Sequence, residues 1–290
     1  MAYRIVTDST ADLTAELIRQ MDVTVLPLHY MIDGKTYTDD VLHPEMTSAE
    51  FYSKVRAGSM PTTSQITPEM FRQAVEPMLA AGQDVLYIAF SSGLSGTYNA
   101  SRLAFEDLRA QYPGRQLVTV DSLAASMGEG MLVYLACAQR DAGKSLAEVA
   151  AWVEENRLHL AHWFTVDDLN HLKRGGRVSG ATAFFGTMLN IKPVLHVDDA
   201  GHLIPMEKVR GRRQSLDALV AHVGKTALHP EQQEMFLSHG DSPADAQYVV
   251  SQLKKQYGVK KVHLGDIGPV IGAHSGPGTI ALFFLAENRD

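Results

Sequence analysis

The hydrophobic positions of this 290-residue chain follow two alternating rhythms. Short apolar runs of strand length recur, and between them apolar residues return every three to four positions, as on one face of a helix. "YRIVTDS" at 3–9 reads as a first strand, 10–20 as a helix and 23–28 as a second strand. "HYMIDGKTYTDD" alternates around Asp33-Gly34, the signal of a hairpin. Helices are expected at 47–57 and 68–81, where Ser48-Ala-Glu50 and Thr67-Pro68-Glu69 carry helix-start chemistry. Strands at 84–90 and 116–121 are each followed by a helix, at 95–111 and about 124–140. Such alternation predicts a parallel sheet covered on both faces.

A second unit begins near 145, and the boundary is placed at 155/156. "SLAEVAAWVEENR" is helical and "HLAHWFTV" strand-like. "DDLNHLKRGGRVSG" reads as a short helix stopped by paired glycines. "IKPVLHVD" and "HLIPMEKV" flank 198–201 as a hairpin. Helices at 214–226 and 245–257 alternate with strands at 234–239, 260–264 and 279–285. The early strand pair implies a mixed sheet. The expected organisation is therefore an N-terminal α/β/α domain, 1–155, and a C-terminal α/β domain, 156–290.

Composition narrows the options. Apolar residues make up 45% of the chain, enough for a packed core, and the net charge of -7 argues against a nucleic-acid binder. The basic run Lys208-Val-Arg210-Gly-Arg212-Arg213 reads first as a solvated face. The single cysteine, Cys137, allows no internal disulfide and no cysteine zinc cluster. It is expected in the core of a helix. There is no signal-peptide pattern and no run of 18 apolar residues. A cytoplasmic protein without a membrane span is the expectation.

The chemistry concentrates in polar turns. "SSGLSGTYN" at 91–99 joins an apolar strand to a helix. Glycines at 93 and 96 permit close backbone approach, Ser95 is the expected N-cap, and free N–H groups at the helix start would face an anion. A capped helix with no ligand is the plainer alternative. An acyl-transfer elbow would need Gly-x-Ser-x-Gly, and here Gly96 comes one place early. No phosphate loop is present, and "GPGTIA" at 276–281 lacks the following helix that a dinucleotide site needs. His159, His162 and His171 lack recognisable metal-ligand spacing. Further polar turns are expected at strand ends, at 8–10, 62–65, 121–122 and 274–278. Hydroxyl and backbone groups of this kind can hold a carboxyl without a full countercharge.

The ordered motifs "TDSTADL", "PLHYMIDGKTYTDD", "TTSQITPEMF", "SSGLSGTYNAS", "LKRGGRVSG", "IKPVL" and "IGAHSGPGTIAL" span the chain. Together they resemble the DegV family of bacterial fatty-acid-binding proteins. That resemblance implies two α/β domains with a lipid buried between them. It implies that Thr63 (or the adjacent Thr62 of "MPTTSQ"), Ser95 and His274 contact the lipid carboxylate, with Ser92, Ser64 and Gly276 nearby. Arg177 matches an arginine linked to phosphoryl transfer or partner docking. It further implies a carrier rather than an enzyme. Such a carrier presents a long-chain fatty acid, such as palmitate, to a separate ATP-dependent fatty acid kinase. The acyl phosphate then passes to an acyltransferase system in phospholipid metabolism. No cofactor other than the lipid itself is implied.

Energetics permit such a ligand. Roughly 14 buried methylenes would gain about 11 kcal/mol before the costs of association. The segment 181–189, with Phe184 and Phe185, is a candidate wall for the tail; an ordinary core helix is its alternative. The rival function is a hydrolase using Ser95 as nucleophile and His274 as base. A protein-docking module using the basic run, and a transcription factor, are weaker alternatives.

Overall fold

The computed structural model describes residues 3–178 and 190–289. From the N-terminus, β1 (Tyr3–Asp8) passes through a single 3-10 turn (Ser9–Ala11) to α1 (Ala15–Met21) and β2 (Thr24–Leu26). The hairpin β3 (His29–Ile32) and β4 (Lys35–Thr38) turns at Asp33 and Gly34, whose φ angles of 53° and 77° are what a two-residue hairpin loop requires. Then come α2 (Ser48–Arg56), β5 (Thr62–Ser64), α3 (Pro68–Ala80), β6 (Asp84–Ala89), α4 (Thr97–Gln111), β7 (Leu117–Asp121), α5 (Met127–Asp141) and α6 (Leu146–Asn156). The remainder contains β8 (Leu160–Thr165), α7 (Asn170–Gly175), β9 (Ile191–Val197), β10 (Leu203–Arg210), α8 (Arg212–Thr226) and β11 (Glu234–His239). It ends with α9 (Pro243–Tyr257), β12 (Lys261–Asp266), α10 (Pro269–Ser275) and β13 (Ile280–Leu285).

Among the described residues, a four-stranded sheet runs in the order β2-β1-β6-β7 with every pairing parallel. A six-stranded sheet runs β10-β9-β8-β13-β11-β12 and is mixed, since only β11 and β12 pair in parallel. The α/β class, with one parallel and one mixed sheet, is as the strand rhythm required. Two elements went unforeseen. β5 completes a small sheet with β3 and β4, and α10 starts at Pro269. The hydroxyl-rich β5 has no apolar alternation to betray it. In α10 the glycine and small residues mask the helical period.

Burial explains the layering. Val6, Val85, Tyr87 and Ala89 pack on one face of the parallel sheet against Phe71, Phe105 and Leu108 of α3 and α4. The other face carries Ile5, Leu86 and Ile88, which join Met131, Leu132 and Val133 of α5. The same cluster continues through Phe164, Phe236 and Phe283 of the mixed sheet, so α5 sits between the two sheets. On the far side, Trp163, Leu282 and Phe284 meet Leu219 and Val223 of α8 and Val249 and Leu253 of α9. Each fully buried Met, Leu or Val contributes about 1.5–3 kcal/mol. Cys137 is buried within α5, as expected. No helix among the described residues is long and apolar enough to cross a membrane.

Candidate functional site

The site grows from β5. Its residues pair antiparallel with β3, Thr63 opposite Tyr30. Strand alternation turns Thr63 inward while Thr62 and Ser64 are exposed. This geometry distinguishes the two adjacent threonines, which the sequence alone could not. The Thr63 hydroxyl lies 2.8 Å from Nε2 of His274. His274 occupies the last turn of α10, not a strand-end loop as the sequence suggested. On its Nδ1 side the ring packs against Gly175 of α7, where a side chain would collide with it.

Arg177 follows that helix. Its guanidinium donates to the carbonyls of Leu94 and Gly175, which fixes it across the gap between α7 and the 91–96 turn. Burial, and then the positive charge of Arg177, push His274 down to about 4. The imidazole is therefore neutral near pH 7.

The 91–96 turn contradicts part of the anion-cradle expectation. The N–H groups of Leu94 and Ser95 donate to Ser91 O, that of Ser92 to Asp121 Oδ1, and that of Gly93 to Ser91 Oγ. A tight turn satisfies its own donors, so these groups are not held open for a ligand. Nor is Ser95 the N-cap. α4 begins at Thr97 with Gly96 as cap, and Ser95 Oγ accepts from Thr97 N while lying 2.9 Å from Thr97 Oγ1. What the turn offers the site is the Ser95 hydroxyl. A methyl group at Gly96 would meet the side-chain amide of Gln65, which would have to swing aside.

These groups line a cavity of about 390 Å³. Thr63, Ser64, Ser95, Arg177 and His274 all line it. Most of the remaining lining is apolar: Phe90 and Leu94 from the parallel-sheet side, Phe164, Val197, Leu203, Ala281 and Phe283 from the mixed sheet, and Val270 and Ile271 from α10. Thr62, Ser92 and Gly276 are not among its lining residues. Thr62 and Ser92 are exposed, and Gly276 packs against the His171 ring at φ 78°. Phe184 and Phe185 lie outside the described residues. Of the remaining polar turns, Asp8 is consumed by hydrogen bonds from Tyr87, Thr10 and the Phe90 N–H, and Asp121 by the N–H groups of Ser92 and Leu123.

Gln65 and Ser275, from the expected polar turns, also line the cavity, whereas sequence reasoning missed Ser126, His162 and Thr279. The period-two series of Ala281 and Phe283 on one face of β13, with Thr279 just before it, was the available signal. The arrangement as a whole is a largely apolar cavity whose lining also carries hydroxyls, the neutral imidazole of His274 and one guanidinium, suited to an amphiphile with an acidic head. Among the described residues, no hydrogen bond joins Ser95 to His274.

Known proteins agree with this architecture. The profile of the family described as "Uncharacterised protein, DegV family" matches residues 2–287. A DegV domain-containing protein of Clostridium perfringens is 43% identical, with 99% of each chain covered. One from Streptococcus pyogenes is 37% identical over 99% of each chain. Among solved structures, a DegV family protein from Thermus thermophilus, described for its fatty acid binding, superposes with a TM-score of 0.87. It is 33% identical over 99% of this chain and all of its own. A Thermotoga maritima protein, described as revealing a fatty acid binding function, gives 0.84 at 30% identity and 99% coverage of both chains. By sequence along its whole length and by fold, this chain belongs to the DegV family.

Proposed function

We propose that this protein is a fatty-acid carrier. The carboxyl head of a long-chain fatty acid sits among Thr63, Ser95, His274 and Arg177, and its tail fills the apolar cavity. The observation that carries this reading is the Thr63–His274 hydrogen bond in the lining of a largely apolar cavity. Relatives described as fatty-acid binders support it. The tail supplies most of the affinity, at about 0.8 kcal/mol per methylene. The head group needs only orientation. Residues 1–155 and 156–290 form the two lobes around the ligand on this reading, which places the boundary at the end of α6, just before the mixed sheet begins.

The carrier has no catalytic role of its own. It presents the carboxylate to a partner kinase, which makes the acyl phosphate. The kinase docks at the basic run, where Lys208, Arg210 and Arg213 are exposed. Arg212 and Arg213 also have acidic partners within the chain, Asp245 and Asp217.

The hydrolase reading finds little support, because Ser95 bonds Thr97 while His274 bonds Thr63. Mass spectrometry of the purified protein, native and then denatured with organic extraction, tests the proposal. A fatty acid released in near-equal amount supports it. A bare protein that also refuses added fatty acid refutes it.

A further inference from the structure

His162 lies on β8 and lines the cavity described above. It is only 1% exposed, and neither ring nitrogen has a hydrogen-bond partner among the described residues. Burying polar groups without partners is costly, and a purely hydrocarbon occupant would leave both nitrogens unpaired. The ring fits here because residue 128 is glycine: a methyl group there would lie 2.8 Å from Nε2.

The mixed sheet fixes its depth. His162 pairs with Phe283 on β13, and the two rings meet edge to face with centroids 5.4 Å apart. Thr279, at the other end of the same lining row, donates to the carbonyls of Ser275 and Gly276 beside His274. Phe283 and Thr279 are four residues apart, about 13 Å at the rise of an antiparallel strand. His162 thus stands apart from the Thr279–His274 end of the lining, with the Phe283 ring against it. Burial, and then the charge of Arg289, hold it far below its usual protonation range, so it presents one donor and one acceptor.

We propose that His162 is a specificity determinant for the tail of the ligand, accepting a fatty acid that carries a hydroxyl group along its chain. This rests on the fatty-acid reading. A hydroxyl both donates and accepts, as a neutral imidazole does, so one hydrogen bond forms with either tautomer. Elsewhere in an apolar slot the same hydroxyl would be desolvated without compensation.

The test is competitive binding to the delipidated full chain, with stearic acid and a mid-chain hydroxystearic acid as probes. The wild type should bind the two within about threefold of one another. In His162→Leu the hydroxylated acid should fall behind stearic acid by at least about tenfold, the scale of an unpaired buried hydroxyl, with stearic acid retained. His162→Gln, which keeps a donor and an acceptor, should stay close to wild type. A wild type that already rejects the hydroxylated acid tenfold or more overturns the proposal, and this needs no variant to fold. An unchanged ratio in His162→Leu overturns it as well. In both cases binding of stearic acid leaves the carrier reading standing. If neither acid binds the wild type, both readings fall.

Discussion

At Thr63 a single hydroxyl decides how the head site is wired. It engages Nε2 of a neutral imidazole, and Thr63→Val keeps its shape while orphaning that nitrogen. Losing such a partner costs about 1–3 kcal/mol. Fatty-acid affinity in Thr63→Val is expected to drop by about tenfold, as read by equilibrium binding, and the ligand-free melting temperature by a few degrees, at about 2–4 °C per kcal/mol. Proton linkage gives an independent check. Free His274 titrates near 4 and is neutral at pH 6. A bound carboxylate favours the imidazolium and raises that value. Binding should therefore take up protons, and affinity should strengthen as pH falls from 7 toward 5. Calorimetry in buffers of different ionisation heat measures the uptake. His274→Asn should abolish most of it, and an unchanged uptake in that variant would mean that the fatty acid's own carboxyl takes the proton. The residue types here were legible from sequence. The partners were not, because Thr63 and His274 are separated by 211 positions.

Among the elements, the turn before α4 and the turn between β9 and β10 lock together. Ser91 Oγ donates to Gly201 O at 2.8 Å. A methyl group on Gly93 would fall 2.8 Å from that same oxygen and 2.9 Å from Ala200 O, both backbone atoms. Gly93→Ala must push the two turns apart at about 1–3 kcal/mol. Thermal melting should fall by several degrees, at about 2–4 °C per kcal/mol. Gly114→Ala, where nothing stands within 4 Å, should leave it nearly unchanged and serves as the control. The glycines of "SSGLSG" thus serve packing between loops more than ligand approach. Periodicity located the helices well. Helix-start chemistry was right at Thr67, which caps α3, but at α2 the cap is Thr47, one residue before the Ser48 that the sequence singled out. It misjudged α4, because a serine next to a glycine cap carries the same local signature as a capping serine.

Across the whole molecule, α5 is buried between two sheets, and carboxylates are buried around it. Asp12 accepts from Ser126 and from the Gly268 N–H, while Asp39 stands close by, its Oδ2 without a hydrogen-bond partner among the described residues. Burial raises Asp39 to about 7. Its folded value therefore exceeds its unfolded one, near 3.8, and the folded state holds the extra proton between them. The resulting stability is present below about pH 4 and is lost as pH rises through 7, a difference of order 4 kcal/mol at most. Asp39→Asn removes this dependence. The variant should gain stability relative to wild type between pH 5 and pH 8 in denaturant unfolding. An equal difference at both values would show that Asp39 is not the group responsible.

The sequence by itself determined the α/β class, the parallel and mixed sheets, the hairpin at Asp33-Gly34 and the polar segments that reach the site. These follow from local rules, namely the strand and helix periods and the φ angles that turn residues permit. The tertiary structure alone decided which threonine faces inward, that the N–H groups of the 91–96 turn are already spent, that His274 is neutral, and that His162 stands unpaired in the wall. Each depends on desolvation and on atoms brought together from distant positions. A one-dimensional pattern holds no information on either until the two sheets close over α5.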